Sequence, residues 1–298
     1  MISYNGKVVT RSGNWIYKRG AYNPLNLPPF TLRVQYKPNV APNVTKGSRT
    51  QVSTSPNVWD ITYEDSDWRN LFSNETDLWY VIGGNTLGVT SMINLFSNCT
   101  SLISVTLFDT FSVTNTSSMF YNCSYLTSVP LFDMSNVDTA IGMFDQCQHL
   151  ESVPLFNLGN VLYMTLMFAG THLTTVPAFD THSAVLMNSM FEGCRYLETV
   201  PIFNTATVTS FNSMFYRCQA LQSVPLFDTS SATDTVAMFY KCRMVEEGAL
   251  ALYQQASSQT NPPSEHGAMF EECGADTTNG AAELAQIPSS WGGLHLDY

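Results

Sequence analysis

Seven cysteines, Cys99, Cys123, Cys147, Cys194, Cys218, Cys242 and Cys273, each lie three residues after a phenylalanine in this 298-residue chain. Thiols at a fixed spacing can do redox chemistry, hold a metal, form disulfides or fill a core. Metal sites gather their ligands in tight clusters such as C-x2-C, and the chain has none. If the cysteines stack at about 5 Å, their Cα atoms fall within disulfide range. Parallel side chains, however, keep the Cβ atoms nearly as far apart, beyond the usual ~3.8 Å. The odd number also argues against complete pairing. A column of buried, reduced thiols giving weak hydrogen bonds to neighbouring carbonyls fits better. Two departures test it: Glu75 takes the cysteine's slot in the first repeat, where solvation is expected, and Met167–Leu173 has no cysteine and one residue fewer. A ligand array would not tolerate that loss, whereas a packing column would.

Other side chains offer weaker chemistry. Tyr125, His149, His172 and Tyr196 each precede an anchoring leucine in four consecutive repeats, which predicts a column of rings on an exposed edge. Aromatic faces stack on sugar C–H surfaces and on partner side chains, and Arg195, Glu151 and Glu198 beside them can bond hydroxyls. The plainer role for these rings is to cover the edges of the repeats. Asp109, Asp133, Asn157, Asp180, Asn204 and Asp228 invite calcium at intervals of about 5 Å. Two of the six are Asn and no second carboxylate column accompanies them, so Asx-turns suit them better. The signatures GxSxG, HExxH, the P-loop and the dinucleotide-binding glycine pattern are missing. No catalytic residue, cofactor or metal is therefore expected.

These residues are positioned by one repeated unit. Phenylalanines recur at Phe72, Phe96, Phe120, Phe144, Phe168, Phe191, Phe215 and Phe239, in steps of 24 residues six times and 23 once. Leu126 and Val129 stand six and nine residues after Phe120, and the same offsets recur in most repeats. The pattern is MF-x-x-C-x-x-L-x-x-V-P-L-F-(D/N)-T. One unit has too few apolar residues for a core, so stacked units must share one, which is the logic of a solenoid. In LETVPIF, alternation predicts a short strand with Val200 and Ile202 inward. The stretch NTSSMFYNC predicts one helical or 3-10 turn. The expected fold is a mainly β, α/β repeat solenoid, right-handed and leucine-rich-repeat-like, with one short parallel strand per repeat. Residues 1–24 are read as an arm for attachment, 25–66 as a β-rich cap, 67–245 as about eight repeats and 246–298 as a partly helical cap. EEGALALYQQA is expected to be helical, and Trp291 to plug the last repeat.

The repeats resemble BspA-type leucine-rich repeats, including the surface-protein form carrying MFxxCxxL. The segments LPPFTLRVQYKPNV and AELAQIPSSW are similar to flanks of such repeats in proteins of gut Bacteroidetes phages. The resemblance implies recognition or adhesion without catalysis. It points to a phage virion protein, of tail or head, that folds in the host cytoplasm and works on the virion exterior. Its partners would be a host surface glycan or protein, and other virion proteins through the arm; a homo-oligomer is allowed. A purely structural virion component and a bacterial cell-surface adhesin are the alternatives. The net charge of −11 disfavours nucleic acid, and no apolar run reaches the ~18 residues of a membrane span. The N-terminus has no apolar leader stretch, which predicts folding in a cytosol or prior removal of a signal.

Overall fold

The computed structural model describes residues 25–293, preceded by the backbones of three short strands, β1 (Ser3–Tyr4), β2 (Lys7–Val9) and β3 (Trp15–Tyr17). These three form an antiparallel sheet in the order β1-β2-β3. The rest of the expected arm at 1–24 lies outside the described residues, as do residues 294–298.

A second sheet has the order β5-β6-β4-β7-β8, from β4 (Thr31–Tyr36), β5 (Ser48–Thr54), β6 (Asn57–Thr62), β7 (Leu78–Asn85) and β8 (Ser104–Val105). In β4, Leu32, Val34 and Tyr36 alternate inward onto the core, while Arg33 bonds both oxygens of Asp60 on β6 at 2.7 and 2.8 Å. The β7–β8 pairing is parallel and the other pairings are antiparallel, so β7 is where the cap joins the repeats.

Beyond β8 the expected strand in each repeat is absent, and repeats are joined instead by isolated parallel bridges. One column of bridges runs without a break from Asp67 through Ser91, Asn115, Thr139, Tyr163, Leu186, Ser210 and Asp234 to Glu265. The alternation expected in LETVPIF fails as well. Ile202 is 68% exposed, whereas Phe203 is buried. The cause is visible in sister repeats, where the proline carbonyl accepts the amide two residues on (Phe132 from Pro130, Phe156 from Pro154, Phe227 from Pro225, 2.8–2.9 Å). Such a γ-turn breaks the strand's two-residue period. It throws Leu131, Leu155 and Leu226 outward and the following phenylalanine inward.

The segment around MF is not a helix either. In the third repeat, Met119, Tyr121 and Cys123 donate locally to the carbonyls of Thr116, Ser118 and Phe120. The amides between them, Thr116, Ser118, Phe120 and Asn122, donate instead to the next repeat, to Thr139, Ile141, Met143 and Asp145, at 2.8–3.0 Å. A left-handed residue at Ser118 (φ 53°) and another at Asn122 (φ 54°) turn alternate peptides away from the helical direction. The same two slots are left-handed at Asn94 and Asn98, Gly142 and Gln146, and Ser213 and Arg217. Gly and Asn tolerate this conformation best, and Ser, at Ser118 and Ser213, adopts it here. Asn98 and Asn122 add a side-chain ladder, Asn122 donating to Asn98 at 2.9 Å and Asn98 to Asn74 at 3.1 Å.

The interior holds two phenylalanine columns. The MF rings stack from Phe72 to Phe270 with centroids 5.1–6.0 Å apart. The second column, Phe108, Phe132, Phe156, Phe179, Phe203 and Phe227, packs beside it. Each Asp or Asn after it accepts the amide two residues on, as from Asp133 to Ser135 at 3.0 Å and from Asp228 to Ser230 at 2.9 Å, which makes these side chains Asx-turns.

At the far end the insertion before Phe270 forms helix α1 (Ala249–Ser257), followed by α2 (Thr278–Leu284) and a 3-10 turn at Ser289–Trp291. Buried Trp291 stacks on His266 at 4.0 Å and meets Tyr253 edge-on, and its carbonyl accepts the Phe270 amide. Gly248 enters α1 at φ +98°, and a Cβ there would sit 2.4 Å from the Val224 carbonyl oxygen. Gly248→Ala is expected to cost about 1–3 kcal/mol from the backbone alone, read as a lower urea midpoint. An unchanged midpoint would mean that α1 is not held on the last repeats.

Candidate functional site

The thiols are interior groups. All seven cysteines are unpaired and fully buried. Six donate to the carbonyl of the previous repeat's phenylalanine at 3.0–3.1 Å: Cys99 to Phe72, Cys123 to Phe96, Cys147 to Phe120, Cys194 to Phe168, Cys218 to Phe191 and Cys242 to Phe215. In the short repeat Thr171 takes the slot, its hydroxyl 2.8 Å from the Phe168 carbonyl and 3.3 Å from the Cys194 sulfur. Burial pushes the thiols up, Cys194 to about 11 and Cys99, Cys147 and Cys242 further. A protonated, inaccessible thiol is a poor nucleophile and a poor ligand.

Glu75 departs from expectation. It is buried, not solvated, because the cap loop closes over it, and its carboxylate accepts the Asn43 amide at 3.1 Å. Burial and the nearby Glu75 charge push the buried Tyr36 hydroxyl up. Among the described residues no three His, Cys, Asp or Glu side chains come together as a metal site.

The ring column is continuous. Tyr125 stacks on His149 at 5.1 Å and 7°, His149 lies 6.1 Å from His172, and His172 meets Tyr196 edge-on at 4.7 Å. Tyr125 and Tyr196 are more than half exposed, and His149 is fixed by a 2.5 Å bond between its Nδ1 and the Ser124 carbonyl. Arg195, Glu151 and Glu198 are all exposed. They divide, however: Arg195 joins His172 and Tyr196 on the rim of a depression of about 530 Å³, which Glu151, Glu198, Tyr125 and His149 do not line.

The depression also brings together side chains that spacing did not single out: Asp145, Gln146, Glu192, Tyr216 and Arg217. They occupy the two positions after MF. Reading those positions down successive repeats (Tyr121, Asp145, Ala169, Glu192, Tyr216, Tyr240) would have found them. Tyr216 and Tyr240 stack at 4.9 Å, with Arg217 and Lys241 over their rings. Burial, with the Glu192 charge, holds the Asp145 carboxyl above its ordinary value against a hydrogen bond from Gln146.

Two overlapping stretches, residues 50–154 and 142–252, match the family described as Mycoplasma protein of unknown function, DUF285. Together they span about two thirds of the chain. The chain belongs to the DUF285 family. The DUF285 matches fall on the repeats and on the strands that lead into them, and a double placement on one array follows from internal repetition. The DUF285 description states no activity, so none passes to this chain from it. No curated protein and no solved structure matches the chain. No helix among the described residues is long and apolar enough to cross a membrane.

Proposed function

We propose that this chain is a non-catalytic recognition protein displayed on an exterior surface, as a tail or head component of a phage virion, binding a host surface glycan or protein. The observation that carries this reading is the unbroken run of four rings on the repeat scaffold, Tyr125, His149 and Tyr196 exposed and His172 half-buried between them. Rings held by the scaffold lose little freedom on contact, and each adds about 0.5–1.5 kcal/mol when it stacks. The resemblance of the repeats and their flanks to phage and surface proteins supports the setting. Free buried thiols fit a protein that folds in a reducing cytosol and then works outside it.

Labelled protein is expected to bind host cells saturably. Tyr125→Ala combined with His149→Ala should weaken that binding about tenfold, the effect of roughly 1.4 kcal/mol, while the melting temperature stays the same. Full binding by the double variant, or no saturable binding to any host surface, would overturn the proposal.

A further inference from the structure

The depression on the fifth repeat arises from what that repeat lacks. Its neighbours place Gln148 and Arg195 between the cysteine and the ring residue, and the fifth repeat deletes this position. Ala169 stands where the repeats on either side carry Asp145 and Glu192, and Gly170 and Gly193 follow in the left-handed slot. The floor is therefore largely backbone, walled by the side chains of adjacent repeats. Its volume of about 530 Å³ falls within the ~300–1,000 Å³ of small-molecule sites. Unlike most such sites it is lined by polar groups.

We infer that this depression is a subsite for one neutral pyranose ring of a glycan. The inference rests on the recognition reading and names the chemistry of its ligand. Two carboxylates, Asp145 and Glu192, and two guanidinium groups, Arg195 and Arg217, line it together, so the lining has no net charge to select an anion or a cation. The Glu192 and Arg195 side chains make no hydrogen bond or ion pair with other described residues, and so offer an acceptor and a donor to a ligand. Hydroxyls at the equatorial edge of a sugar need such alternating partners, with Gln146 supplying an amide. The His172 and Tyr196 rings, set at 62° to each other, give the apolar surface on which a sugar's C–H face packs. A flat protein partner would leave the concavity unfilled.

The test uses saturation-transfer NMR on the full chain, with glucose, galactose, mannose and N-acetylglucosamine as neutral probes. Glucosamine and N-acetylneuraminic acid serve as charged ones. At least one neutral sugar is expected to bind. Ala169→Tyr, which places the residue type of Tyr121, Tyr216 and Tyr240 on this floor, should weaken it more than tenfold; because Ala169 is itself buried, the control for folding is the circular dichroism spectrum of the variant. Glu192→Gln should weaken it severalfold. Binding of the charged probes alone, of none of the six, or of a neutral sugar equally well by Ala169→Tyr would overturn the inference. Loss of host-cell binding in the Tyr125→Ala, His149→Ala variant but not in Ala169→Tyr would remove the subsite and leave the recognition reading. Sugar binding without any host-surface binding would do the reverse.

Discussion

Raising the pH from 7 to 10 is expected to unfold the protein. The cause is the column of buried thiols. Each is held protonated in the fold by burial, Cys194 with its pKa pushed up to about 11, Cys99, Cys147 and Cys242 further, and Cys123, Cys218 and Cys273 well above the ordinary value. A thiol in the unfolded chain ionises near ~8.5. Below that pH both states keep the proton and the column's contribution is fully present. Above it the unfolded chain releases protons that the folded chain retains, so stability falls as pH rises toward the folded values. At pH 10 the difference is about 2 kcal/mol per thiol. Seven thiols together then exceed about 10 kcal/mol, comparable to the ~5–15 kcal/mol that holds a typical domain folded. Urea midpoints under reducing conditions should fall steeply between pH 8 and 10. Cys147→Ala should remove about 2 kcal/mol of the difference between pH 7 and pH 10, although the variant is less stable at both. Midpoints that hold steady from pH 8 to 10 would show that the thiols are not buried as described.

Phe144→Ala is expected to destabilise the protein by about 3–5 kcal/mol, the usual cost of deleting a buried ring. Phe144 is fully buried and stacks on Phe120 and Phe168 at 5.6 Å and on Phe156 at 6.0 Å, so its loss opens a cavity touching both columns. The hydrogen-bonded frame above and below cannot collapse into that space, because its amides are committed to neighbouring repeats. Each repeat in a solenoid is stabilised through its neighbours, so the damage should spread beyond the fourth repeat. Hydrogen exchange should show lost protection at Phe120 and Phe168 as well. A loss under about 1.5 kcal/mol, the range of a tolerated repacking, would contradict the stacked-column description.

Spacing alone made the solenoid, the thiol column and the Asx-turns legible, because each recurs at a fixed interval, while the terminal helix was legible from the composition of EEGALALYQQA. Ile202 misled because the chain turns after the proline, a turn closed in the sister repeats by the proline carbonyl, and alternation carries no mark of that. The left-handed slots were hidden where Leu166, Arg217 and Lys241 occupy them, since none of these residue types signals positive φ. Forward hydrogen bonds between repeats hold them there. Glu75 looked exposed because its cover comes from residues more than thirty positions earlier. The ring column was legible from the residue before each leucine. The depression beside it was not, because it is made by a deletion and by Ala169, and motif reading attends to groups that are present.

The alternating amides around each MF have an electrical consequence. Tyr121 and Asn122 share one peptide unit, whose carbonyl accepts from Asn98 and whose N–H donates to Asp145. The same holds at 145–146, 169–170, 192–193, 216–217 and 240–241, so one file of peptides points in a single direction from the first repeat to the last. Four such files run side by side, while two sets of bonds run the other way, one through Thr90, Thr114, Asp138 and Leu162 and a shorter one through Thr174, Glu198, Gln222 and Glu246. Strand dipoles in a sheet nearly cancel; here they add, as in a helix, at ~3.5 D per peptide. The stack is thus an axial dipole with its positive pole at the C-terminal cap and its negative pole at the first repeat.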